Sequence, residues 1–67
     1  MKTNYYAWGA DVQVHGAGRF DAKGMSSSPT PATEEELREA AARDIAARHN
    51  TGPDDVYIVD FVYTELT

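Results

Sequence analysis

The chain has 67 residues, of which 42% are hydrophobic, and its 6 Lys and Arg against 11 Asp and Glu give a formal net charge of −5. That sign disfavours direct binding to nucleic acid or to an anionic membrane surface, both of which call for a basic stripe. There is no cysteine, so disulfides and thiolate metal sites are excluded, and a core this small is expected to gain burial by self-association. No stretch approaches the roughly 20 apolar residues of a membrane helix. The first 25 residues lack the basic start and apolar run of a signal peptide, so the expectation is one soluble, cytoplasmic domain over residues 1–67.

The first element expected is a strand over residues 4–14. Tyr6, Trp8, Ala10, Val12 and Val14 occupy alternate positions, with Gly9, Asp11 and Gln13 between them, the period of two of a half-buried strand. Next comes "HGAGRFD", residues 15–21. A dinucleotide fingerprint needs a third glycine and a following helix. Here Asp21 takes the third position, where it would repel a phosphate, and strand-like alternation follows. Gly16 and Gly18 therefore mark a hairpin bend, and Phe20 and Ala22 belong to a second strand over residues 19–25. Residues 26–32 have no apolar period and contain Pro29 and Pro31, which reads as an exposed linker.

A helix is expected over residues 33–49. Thr33 and Glu36 form a capping-box pattern, and Thr30 with Pro31 offers a competing, slightly earlier start. Glu34, Glu35 and Glu36 complement the helix dipole. Glu34–Arg38, Glu39–Arg43 and Asp44–Arg48 are acid-before-base pairs four apart. The apolar stripe is Leu37, Ala40, Ala41 and Ile45, with Ala42 at its margin, and Arg48 is placed to lay its stem on apolar surface. Asn50 or Gly52 ends the helix and Pro53 prevents its continuation.

The last element is a strand over residues 55–66. Its run "VYIVDFVYTEL" is apolar in both parities, and one helix can cover only one of them. Asp60 and Thr64 interrupt the even set, so the odd set (Tyr57, Val59, Phe61, Tyr63) is assigned to the helix side. Val56, Ile58, Val62 and Leu66 are then left as an exposed interaction surface. The aromatic group formed with Tyr5, Tyr6 and Trp8 reads as core packing, since no Lys or Arg is interleaved for stacking bases.

Short, right-handed connections pair the last strand antiparallel with the first. The expected fold is α+β in β-β-α-β order, a three-stranded antiparallel sheet of order 2-1-3 with one helix on one face. This topology gathers His15, Arg19, His49, Asp54 and Asp55 at one end. His15, His49 and Asp55 are the residues closest to a metal-ligand set, yet no spaced ligand motif contains them, and neither metal nor other cofactor is expected. Ser26, Ser27 and Ser28 lie at the opposite end from both histidines, so no nucleophile–base pair forms. The reading is a small, acidic, non-enzymatic protein-interaction module, a homodimer that binds a protein partner. The alternative is a phage- or mobile-element-encoded inhibitor or nucleic-acid mimic that blocks a basic host site, motivated by Glu34–Glu36, Glu39, Asp54 and Asp55. A metal-binding domain at the His15/His49 end ranks third. Heavy use of Ala, Arg and Asp fits a GC-rich bacterial or phage genome.

Overall fold

The computed structural model describes residues 2–66. Strand β1 (Asn4–Val14) lies between β2 (Gly18–Ser28) and β3 (Val56–Glu65), antiparallel to both. Helix α1 (Glu34–Arg48) joins β2 to β3 and packs on one face, with a single 3-10 turn, Pro53–Asp55, before β3. The β-β-α-β order, the antiparallel sheet of order 2-1-3 and the α+β class expected from the sequence are the observed architecture.

The alternation in β1 sets the core. Tyr6, Trp8, Ala10, Val12 and Val14 are all buried, joined by Ala22 from β2, Phe61 from β3 and Leu37, Ala41 and Ile45 from α1. Each large side chain buried this way stabilises the fold by about 1.5–3 kcal/mol. The bend between β1 and β2 is closed by the Ala17 N–H donating to the Val14 carbonyl at 2.9 Å. Gly16 and Gly18 have φ of 85° and 89°, a region that only glycine enters without steric cost.

Strand β2 extends three residues further than its composition suggests, and the connection expected over 26–32 begins at Pro29. Ser26, Ser27 and Ser28 pair with Tyr6, Tyr5 and Asn4. Their strand conformation comes from the ladder that β1 offers rather than from their own propensity. Pro29, which has no N–H to donate, follows immediately. The Tyr6 hydroxyl accepts the Ala32 N–H at 3.0 Å, which ties the connection to the sheet.

Helix α1 starts as its sequence demands. The Thr33 hydroxyl accepts the Glu36 N–H at 3.2 Å, and the Glu36 carboxylate accepts the Thr33 N–H at 2.9 Å, completing the capping box. All three acid-before-base pairs form. At the other end Asn50 adopts φ 53°, while its N–H donates to the Ala47 carbonyl and that of Thr51 to the Ala46 carbonyl. That is the Schellman pattern. It folds the chain back over Ala46, which is buried, whereas Ala40 is exposed. The buried arc thus turns from Leu37, Ala41 and Ile45 toward Ala46, and Ala40 falls outside the stripe assigned to it.

Strand β3 does not keep one parity inward. Asp11 pairs with Asp60 but the next residue, Val12, pairs with Ile58, so Val59 is an extra residue in a β-bulge. Side chains on the two sides of a bulge change face. Before it, Val56 and Ile58 pack against the core and Tyr57 is exposed; after it, Phe61 is buried and Val62 is exposed. The odd set is therefore on the helix side only beyond Asp60, and the even set only before Val59.

Trp8 is enclosed by Phe61, Arg48 and Gly24. Its ring stacks on Phe61 with centroids 6.3 Å apart, and the Arg48 guanidinium lies 5.6 Å over it. Arg48 also holds Asp44 at 2.8 Å, so its charge stays at the surface while it covers the indole. Trp8 Nε1 is buried with no hydrogen-bond partner, a cost of about 1–3 kcal/mol that the ring contacts offset. Gly24 makes room for the indole: a Cβ there would sit 2.8 Å from Trp8 Cε2, closer still to Cζ2, and 2.9 Å from Arg48 Nη2. Gly24→Ala should therefore destabilise the fold by about 1–3 kcal/mol, which lowers the melting temperature by about 4–8 °C per kcal/mol in a domain this small. At Gly9 an added Cβ meets only Val62 Cγ2 at 3.6 Å and a carbonyl oxygen at 4.0 Å, so Gly9→Ala should be neutral or mildly stabilising. Thermal melts followed by the fluorescence of the single tryptophan check both.

Candidate interaction surface

The end of the molecule that holds the hairpin bend also holds the helix C-terminus and the 3-10 turn. His15 donates its backbone N–H to the Asp55 carbonyl at 2.9 Å, and the His49 ring lies 4.8 Å from that of Phe20 on the helix side. Thr51 donates its hydroxyl to the Asp55 carboxylate. Arg19 is turned to the opposite face of the sheet, where it binds Asp11 in a fork, Nε to Oδ1 at 3.0 Å and Nη2 to Oδ2 at 2.6 Å. Asp54 is exposed in the 3-10 turn. The shared end gathered from topology is real, but its side chains diverge. Among the described residues no group of three or more His, Asp or Glu stands close enough to hold a metal ion.

The face of the sheet away from α1 has a clearer organisation. Strand register sets out its rows. Tyr5 and Ser27 lie side by side, with Leu66 alongside, its N–H donating to the Tyr5 carbonyl at 2.8 Å. Ala7 is flanked by Met25 and Thr64, and Gly9 by Lys23 and Val62. Asp11 stands between Asp21 and Asp60, and Gln13 between Arg19 and Tyr57. One half of this face is thus dominated by Tyr5, Met25, Val62 and Leu66, all of them exposed. The other half carries a row of three aspartates. A shallow depression of about 270 Å³ over Gly9 marks the boundary, below the usual size of a small-molecule site.

Of the four residues assigned to an interaction surface, Val62 and Leu66 are on this open face. Val56 and Ile58 are half-buried against the core, because the bulge returns them to the helix side. Tyr5, assigned from sequence to the aromatic core, is instead exposed on this face, and Met25 was not assigned to any surface. Parity points to both: Tyr5 is one position from buried Tyr6, and Met25 is three positions from buried Ala22, hence on the opposite face.

Like charges directly opposite one another destabilise a sheet, and the Arg19 fork relieves the aspartate row at its centre. The hydrogen bond from Arg19, reinforced by its charge, holds the Asp11 carboxyl below its ordinary range. The hydrogen bonds from Thr33 do the same for Glu36, and those from Thr51 and Gly52, with the charge of His15, do so for Asp55. A carboxyl lowered in the native state is protonated first in the unfolded chain. The stability it contributes is complete above the ordinary carboxylate range and is lost as pH falls through the lowered native value. The melting temperature should therefore hold near neutrality and drop below about pH 4. Asp11→Asn should lower it at pH 7 and flatten the acid limb; an unchanged acid limb in that variant would show that the Arg19 fork contributes nothing.

No family model, no curated protein and no solved structure matches the chain.

Proposed function

We propose that this chain is a small acidic protein-interaction module that acts by binding, not by catalysis, and that self-associates. The observation that carries the reading is the uncovered half-face formed by Tyr5, Met25, Val62 and Leu66. Among the described residues a single helix leaves this surface with no layer over it, and contiguous exposed apolar side chains of this kind mark association sites. The shape supports the same reading. The accessible surface is 4540 Å², above the roughly 4,200 Å² typical of a monomer of this mass. The radius of gyration is 11.9 Å, against the roughly 11 Å typical of a domain of this length.

The reading of an inhibitor or nucleic-acid mimic draws on a different observation, the Asp21–Asp11–Asp60 row on the same face. Against it, Glu34 and Glu39 are paired with arginines and Glu36 is held in the capping box. Fewer of the acids that motivated that reading are therefore free to meet a basic partner.

Sedimentation or light scattering at tens of micromolar should give a particle near twice the 7.4 kDa of one chain. Two copies of net charge −5 repel, so self-association should tighten as salt rises from about 0.01 to 0.15 M and the Debye length falls from about 30 to 8 Å. A particle of monomer mass at both ionic strengths would overturn the reading. Binding to a basic protein that is lost over the same salt range would favour the mimic.

A further inference from the structure

The two free edges of the sheet differ in how they are defended. The β2 edge carries Arg19, Asp21 and Lys23 and runs into Ser26–Ser28 and Pro29, the charges and proline that discourage strand addition. The β3 edge carries Asp60 and Glu65 alone. Of the seven exposed large hydrophobic side chains among the described residues, five (Tyr57, Val59, Val62, Tyr63 and Leu66) belong to this last strand and its end.

The ladder shows which backbone groups are available. Leu66 donates to Tyr5, so by antiparallel alternation Thr64, Val62 and Asp60 direct their amides at β1, and Phe61, Tyr63 and Glu65 direct theirs outward. The Phe61 N–H accordingly has no strand partner and donates to the Asp60 carboxylate of its own chain at 3.0 Å.

We propose that a second copy of the chain adds to the β3 edge, antiparallel, with Val62 of each copy on the two-fold axis, making a sheet of six strands. The proposal rests on the self-association put forward above and says where it occurs. The register follows from parity and charge. A two-fold axis perpendicular to the sheet keeps side chains on their own faces, so facing residue numbers sum to an even value. Centring on Asp60 sets that carboxylate against itself. Centring on Phe61 sets the bulge residue Val59, which is out of step with the ladder, against Tyr63, and centring on Tyr63 sets Phe61 against Glu65. Centring on Val62 sets Phe61 against Tyr63 of the second copy, where both outward-facing sets of N–H and C=O groups meet. Asp60 then faces a Thr64 hydroxyl, which replaces the bond it gives up to the Phe61 amide. The two Asp60 carboxylates are four residues apart along the strands, about 13 Å at the rise of a β-strand. That exceeds the screening length of about 8 Å at physiological salt.

The chain has no cysteine, so a single introduced thiol reports on this geometry. Val62 is 65% exposed on β3 and Met25 is 64% exposed on the same face of β2, which makes them matched sites for Val62→Cys and Met25→Cys. At the two-fold, facing Cα atoms are about 4.5–5.5 Å apart, within the span of a disulfide. With diamide as oxidant at micromolar protein, Val62→Cys should form covalent dimer at least about tenfold faster than Met25→Cys, because a pre-paired thiol sees a millimolar effective concentration of its partner. Equal rates, or a faster Met25→Cys, in a protein that sediments as a dimer would overturn the edge pairing and leave the self-association standing. A monomeric wild-type particle with equal rates would overturn both.

Discussion

One helix of fifteen residues has to cover a sheet whose strands are ten and eleven residues long, and every other feature of the molecule is arranged around that mismatch. The helix buries one face through Leu37, Ala41 and Ile45 against Tyr6, Trp8, Val12 and Val14. Nothing in 65 described residues is left to bury the other. A sheet can keep a face in water when that face is polar. Here the condition is met at the aspartate end and violated at the end built from Tyr5, Met25, Val62 and Leu66. Edge pairing through β3 sets the half-faces of two copies side by side on one face of a six-stranded sheet, and the protein partner proposed above is what would cover them.

The β-bulge at Val59 mediates between the core and the edge. The chain enters β3 with Val56 and Ile58 facing α1 and leaves it with Phe61 facing α1. A regular strand would have turned one of these pairs of positions outward. By inserting one residue, β3 supplies apolar side chains to the core on both sides of the bulge, Val56 and Ile58 before it and Phe61 after it. The same device gathers Val62 and Leu66 on the open face beyond the bulge. Bulges commonly also twist an edge away from partners, and the regular stretch available for pairing is accordingly the one after it.

Charge is handled locally throughout. The three arginines of α1 each hold the acid four residues earlier, and two of them also lie over aromatic rings of the core, Arg38 over Phe61 and Arg48 over Trp8. The helix thus brings its small alanines close to the sheet while long cationic stems fill in around them. Arg19 does the equivalent on the open face by neutralising Asp11 between two further aspartates. On the open face the acidic charge is gathered in the aspartate row that borders the apolar half-face.

The sequence by itself determined the element order, the inward set of β1, the capping box and the three ion pairs of α1. Each of these depends on residues within four positions of one another or on a strict period. What it did not determine were the features that depend on a neighbour distant in the chain. Ser26–Ser28 are a strand because β1 presents them with a ladder, a property absent from serine. Ala46 is inside because Thr51 folds back onto the helix end. The parity of β3 was undecidable from a run apolar in both phases, and the tertiary structure resolved it by changing phase at Val59, where register with β1 slips by one residue. Val62 and Leu66 therefore joined Tyr5 and Met25 on one surface, and Val56 and Ile58 went to the core. Side chains two apart in a strand share a face only while the ladder stays in step, and only the partner strand decides where it does.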